Sequence, residues 1–112
     1  MTVTTEQQES AVVVVTSVET LDASNAGEFK TALAKMIQPG ARLVLDMSGI
    51  RFVDSSGLGA ILSCLRQLHD LGGELKLCSL NKPVRALFEL VRMHRVFEIF
   101  NSREEALRSY AI

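Results

Sequence analysis

The stretch RFVDSSGLGAIL, residues 51–62, sets an aspartate and two serines between an apolar, strand-like run and a segment with helical spacing. Asp54, Ser55 and Ser56 are residue types whose side-chain oxygens accept the free N–H groups of a helix's first turn. One such residue is enough for a cap. Here three stand together, followed by Gly57 and Gly59, which thin the side-chain cover and leave a serine hydroxyl open to another protein. A serine at this place also makes a sound phosphoacceptor. Phosphate adds roughly −1.5 to −2 charges, which a helix N-terminus favours by about 0.3–1 kcal/mol, so the fold tolerates it. A partner packed on the same spot would have to desolvate a dianion, at several kcal/mol when unpaired. About 2.7 kcal/mol is a hundredfold in affinity, so one phosphate suffices to switch a complex off.

Other chemistries fit the residues less well. A nucleophile elbow needs glycine two residues before its serine, and the residues in question are Val53 and Asp54. A nucleophilic serine also needs an oriented base. His69 lies late in the same helical segment and His94 in a late loop, so a serine hydrolase is the weaker enzyme reading. Gly57-Leu58-Gly59 is a fragment of a dinucleotide fingerprint, but Leu62 occupies the third glycine position and no Walker lysine is present. Asp22, Asp46 and Asp54 have the chemistry for Mg2+; without a phosphate cradle they read as solvated strand ends. Cys64 and Cys78 form no CxxC and read as reduced, core-filling thiols. Lys82, Arg85, Arg92, His94 and Arg95 make a basic patch, a solvated face that could meet an acidic partner. No metal and no cofactor are expected.

With 112 residues the chain has the length of one domain with its own hydrophobic core. Twelve Lys and Arg against thirteen Asp and Glu argue against direct DNA binding, which requires a basic face. The start MTVTTEQQES is polar, without the basic and apolar blocks of a signal peptide. No apolar run approaches the roughly 20 residues of a membrane span. The expectation is a cytoplasmic protein, monomeric when free.

The elements that must hold the serines follow from periodicity. Residues 1–9 read as a weak N-terminal edge strand or a flexible start, and Val12–Val15 as a strand buried on both faces. Asn25 with Glu28 reads as a capping box opening a helix through Ala26, Phe29, Leu33 and Ile37, stopped by Pro39-Gly40. Leu43–Leu45, then Ile50–Val53, then a helix through Leu58, Ile61, Leu65 and Leu68 ending at Gly72-Gly73 come next. Leu75–Cys78 is a strand. Asn81 caps a helix with Pro83 in its first turn, Val96–Phe100 is an edge strand, and Ser102 with Glu105 opens a last helix through Tyr110. This alternation predicts an α/β fold with a mixed, mostly parallel sheet of four to five strands and about four helices. Sites in such sheets collect where strand C-terminal ends meet helix N-termini. Asp22, Asp46 and Asp54-Ser55-Ser56 all fall there.

LVLDMSGIRFVDSSGLGAIL followed by GGELKLCSLNKPVRALFELV resembles the STAS family of anti-sigma factor antagonists. The likeness runs from about residue 10 to 110 and is strongest from Leu43 to Phe100. It implies a single STAS domain over residues 1–112 and a non-enzymatic role in partner switching. The unphosphorylated antagonist would bind an anti-sigma factor that is also a GHKL-type serine kinase, freeing a sigma factor. Phosphorylation would release it, and a PP2C-type phosphatase would reset it. The resemblance puts the phosphate on Ser55, with Ser56 the second choice. It implies a partner surface of Asp22, Asp54, Ser55, Ser56 and Gly57 with Gly59, Ser63 and Arg66 on the following helix. Val-Glu-Thr-Leu-Asp, residues 18–22, departs from the family's usual Gly-Glu-Leu-Asp, which weakens the placing of Asp22. STAS domains also serve as stressosome scaffolds, transporter appendages and subunits of lipid-transport ATPases, roles the sequence leaves open.

Overall fold

The computed structural model describes residues 1–110. Its strands are β1 (Val3–Gln7), β2 (Val12–Thr16), β3 (Thr20–Leu21), β4 (Arg42–Asp46), β5 (Phe52–Val53), β6 (Glu74–Cys78) and β7 (Glu98–Phe100). Its helices are α1 (Ala26–Ala34), α2 (Ser55–Asp70), α3 (Lys82–Leu90) and α4 (Arg103–Tyr110), with a 3-10 turn at Met93–Arg95. Five strands form the main sheet in the order β1-β2-β4-β6-β7. β1 runs antiparallel to β2, Val3 opposite Thr16; the rest are parallel, with Val13 beside Val44 and Leu45 beside Leu77. The mixed, mostly parallel sheet and the four helices agree with the expectation from sequence.

Strand alternation sorts the core into two layers. Val14, Leu43, Leu45, Leu75 and Leu77 face the crossover helices and meet Phe29, Leu33, Ile61, Leu68 and Phe88. Each such side chain contributes about 1.5–3 kcal/mol on burial. Val13, Val44 and Cys78 point the other way, under Ala106 and Tyr110 of α4. Lys76 shares that second face and is nevertheless buried. Its ammonium donates to Ser109 Oγ at 2.7 Å and lies 4.0 Å from the centre of the Tyr110 ring.

The structure departs from the sequence reading at several points. β3 and β5, two residues each, pair in parallel as a separate small sheet. α1 stops at Ala34, because Met36 and Ile37 turn their N–H groups to the carbonyls of Leu33 and Ala34, a tightened last turn that leaves Ile37 beyond the helix. Asn25 and Asn81 hold N-cap positions but cap nothing with their side chains. Asn25 Nδ2 donates to the Thr20 carbonyl at 2.8 Å, and Asn81 Nδ2 to those of Ser48 and Ile50. A carbonyl of β3 and two in the loop before β5 take the amide donors. Ser102 does cap, accepting from Glu105 N–H at 3.2 Å. β7 shrinks to Glu98–Phe100 since Met93–Val96 coil into the 3-10 turn.

Asp46 is the largest correction. It is no solvated strand end: its side chain is 8% exposed and one oxygen accepts from both Nε and Nη2 of Arg103, at 3.2 and 2.8 Å. Burial alone would raise its carboxyl; the Ser48 N–H and the Arg103 guanidinium outweigh that and hold it below the usual carboxylate range. The pair fastens α4 to the end of β4.

Candidate functional site

α2 begins directly after β5, at the C-terminal edge of the sheets. Asp54 is its N-cap, in extended conformation, and its Oδ1 accepts from Gly57 N–H at 2.9 Å. Its other oxygen accepts from Ala23 N–H at 3.2 Å, in the loop between β3 and α1. One carboxylate thus caps the helix and ties it to the loop that carries Asp22. The Asp54 N–H completes the junction by donating to the Leu21 carbonyl at 3.2 Å.

Because Asp54 does the capping, Ser55 and Ser56 are left as the first two helical residues. Both are exposed, and among the described residues neither hydroxyl has a side-chain hydrogen bond. Sequence left open whether a serine caps; the geometry gives that task to the aspartate. The helix N-terminus, with its unpaired first-turn N–H groups and positive dipole end, lies under both hydroxyls.

Gly57 explains how the helix comes so close. A Cβ there would sit 2.3 Å from the Leu21 carbonyl oxygen and 2.8 Å from its carbon. Gly57 is accordingly buried: it shapes the turn from beneath and offers no surface to a partner. Gly59, by contrast, is exposed with open space around it. Arg66 is exposed farther along α2, and Ser63 is half-buried with its hydroxyl accepting from Gln67 at 3.1 Å.

Asp22 belongs to a compact turn. Its carboxylate accepts from the Ser24 hydroxyl and from Ser24 N–H, and these bonds, the hydroxyl first, hold it below the usual carboxylate range. Its own N–H donates to Asn25 Oδ1 at 2.9 Å. The Ala23–Asp54 bond places this turn against the start of α2, so Asp22, Asp54, Ser55 and Ser56 form one edge. Two contributors escaped the sequence reading. Ala23 acts through its backbone N–H, for which no side-chain signal exists. Phe52 is 55% exposed although it stands in a strand two residues before Asp54; an aromatic at the out-facing position of a two-residue strand has no periodicity to mark it.

The histidines are far from the serines. His69 is 14 residues along α2 from Ser55, about 21 Å at about 1.5 Å per residue. His94 lies in the 3-10 turn, and Met93 and Val96 on either side of it line a groove with the C-terminal half of α2. Neither is an oriented base for Ser55. No group of three metal-ligating side chains occurs among the described residues, and no helix among them is long and apolar enough to cross a membrane.

The chain belongs to the STAS domain family, whose model matches residues 2–106. It is 34% identical over 91 residues to a Bordetella bronchiseptica protein named "Putative anti-sigma factor antagonist BtrV", covering 80% of this chain and 78% of that one. A Listeria monocytogenes protein named "Anti-sigma-B factor antagonist" is 30% identical over 86 residues, 76% of this chain and 75% of its own. The fold also matches a structure of the anti-sigma factor antagonist SpoIIAA in its unphosphorylated form. The TM-score is 0.78 at 23% identity, over 99% of this chain and 98% of that one. The Bacillus SpoIIAA in its phosphorylated form matches with a TM-score of 0.69 at 22% identity, over 96% and 98%.

Proposed function

We propose that this protein is an anti-sigma factor antagonist that works by partner switching, with Ser55 as its phosphoacceptor. In the unphosphorylated form it binds an anti-sigma factor of the GHKL serine-kinase type in the cytoplasm and frees a sigma factor. The kinase phosphorylates Ser55, the complex separates, and a PP2C-type phosphatase restores the first form. The chain itself catalyses nothing. Its partner surface is the edge of Asp22, Asp54, Ser55 and Ser56 with Gly59, Ser63 and Arg66 along α2.

One observation carries this reading: the capping duty falls on Asp54, which leaves the Ser55 hydroxyl exposed and unbonded at the first position of a helix. The names of relatives that align with about three quarters of this chain or more support the wider role. A phosphate on Ser55 would lie at the favourable end of the α2 dipole, worth about 0.3–1 kcal/mol, with Asp54 and Asp22 opposing part of that. The fold therefore keeps its shape while the surface turns strongly anionic.

The test is calorimetry with the cognate anti-sigma factor and phosphosite mapping of the reacted chain. Ser55→Asp should weaken binding at least about a hundredfold, the affinity equivalent of about 2.7 kcal/mol. Ser55→Ala should bind and never be released by ATP. Equal affinity of wild type and Ser55→Asp, or phosphate on Ser56 alone, would overturn the assignment.

A further inference from the structure

The face of α2 that begins at Ser55 continues through Gly59, Leu62, Arg66 and His69, a spacing of three and four residues that keeps all five on one stripe. From Leu62 onward the stripe borders a groove of about 350 Å³. Leu62 and Leu65 form one wall, Met93 and Val96 the other. Val96 is 48% exposed, and Leu62, Leu65 and Met93 are only partly buried, so the groove is shallow. A small ligand usually hides 70–90% of its surface in its pocket, which this groove cannot provide. It fits apolar side chains projecting from a larger body.

The charges around it have one sign in excess. Arg66 and Asp70 are the formal charges that line the groove, with His69 also in its wall, so the cationic excess comes from the flanking segment. Arg92, His94 and Arg95 are exposed on the segment that brings Met93 and Val96 to it. Arg66, Arg92 and Arg95 make no ion pair among the described residues. The carboxylates of Glu74 and Glu98, in the adjoining hollow, already face the Lys76 ammonium at 3.8 and 3.5 Å. Unpaired cations beside an apolar trough call for a complementary, acidic occupant.

We infer that the groove between α2 and the 3-10 turn is a docking site for an acidic amphipathic helix of a protein partner. Apolar side chains at i, i+3 or i+4, and i+7 lie over Leu62, Leu65, Met93 and Val96, and flanking carboxylates meet Arg66 and Arg95. Leu62 is about 10 Å and Arg66 about 16 Å from Ser55 along α2 at about 1.5 Å per residue. The site shares Arg66 with the proposed partner surface, but its apolar walls lie away from the phosphoacceptor, so its occupation does not require the serine to be uncharged.

The experiment titrates the isotope-labelled full chain with a synthetic 14-residue helix bearing leucines at that spacing and glutamates on its flanks. Controls are a twin with lysines for glutamates and, separately, laurate. Saturable shifts confined to Leu62, Leu65, Met93 and Val96, a lysine twin at least tenfold weaker, and at least tenfold loss in Val96→Glu and in Arg66→Glu are expected. Ser55→Asp should bind the peptide like wild type, whatever it does to the kinase, so failure here is distinct from failure of the switch. Absence of saturable shifts at millimolar peptide, equal binding of the lysine twin, or binding of laurate without the peptide would overturn the inference.

Discussion

Replacing Gly57 by alanine adds one methyl group where the structure has no room for it. The new Cβ would stand 2.3 Å from the Leu21 carbonyl oxygen, 2.8 Å from its carbon and 3.0 Å from its Cγ. Comfortable contacts between carbons lie at about 3.5–4.0 Å. Leu21 cannot swing aside, since β3 is paired to β5 and its carbonyl accepts from Asp54 N–H. Overpacking of this kind costs about 1–3 kcal/mol, and backbone on both sides puts the cost near the top. Alanine returns about 1 kcal/mol of helix propensity, leaving a net loss of about 2 kcal/mol. Gly59→Ala meets nothing within 4 Å and should gain about 0.5–1 kcal/mol. Urea unfolding of the two variants should therefore differ by nearly 3 kcal/mol with unchanged m-values. At about 4 °C per kcal/mol, Gly57→Ala melts about 8 °C below wild type and Gly59→Ala about 3 °C above it. A Gly57→Ala variant as stable as wild type would refute the close seating of α2 on β3.

Asp54→Ala should cost about 1–2 kcal/mol in urea, the usual loss for a cap, while Asp54→Asn, which keeps an acceptor, should cost clearly less. Arg103→Ala leaves Asp46 buried without its cation; because the guanidinium is partly exposed, a loss of about 1–3 kcal/mol at pH 7 is expected. The Asp46 carboxyl is held below its unfolded value, so this stabilisation is present above pH 4 and fades as pH falls through the folded value. The gap between wild type and Arg103→Ala should accordingly narrow from pH 7 to pH 3, and a constant gap would count against the pairing. Burial pushes both cysteine thiols up to about 11, which leaves about one thiolate in a thousand at pH 8. Iodoacetamide should alkylate the native chain at least about a hundredfold more slowly than the chain in urea.

The β-branched and leucine runs gave away the sheet, and the cluster of capping residues gave away the edge that matters. What escaped shares a physical cause: a residue's type does not say which neighbour will need it. Asn25 and Asn81 stand at N-cap positions, yet carbonyls of β3 and of the loop before β5 claim their amides. Asp46 looked like a solvated strand end because Arg103, its partner, lies 57 residues away. Gly57 and Gly59 are equivalent in the sequence; only the approach of Leu21 makes one indispensable and the other free. β3 and β5 are too short for any period to register.

The separation of Asp54 from Ser55 would make the proposed switch workable at a helix start. Were Ser55 the cap, its phosphorylation would break the bond that begins α2, and the charge would act partly by loosening the fold. With the bond to Gly57 N–H made by Asp54, the Ser55 hydroxyl contributes nothing to that turn. Removing it or loading it with charge leaves the cap, the Ala23 tie and the contact of Gly57 with Leu21 as they were. The aspartate also sets a limit: its own charge, beside that of Asp22, keeps this edge anionic before any phosphate arrives. A partner that binds it must bring cations, and the added dianion must defeat a complex already built on opposite charge. Under the proposed switch, that defeat would come from the cost of desolvating the dianion at the serine itself.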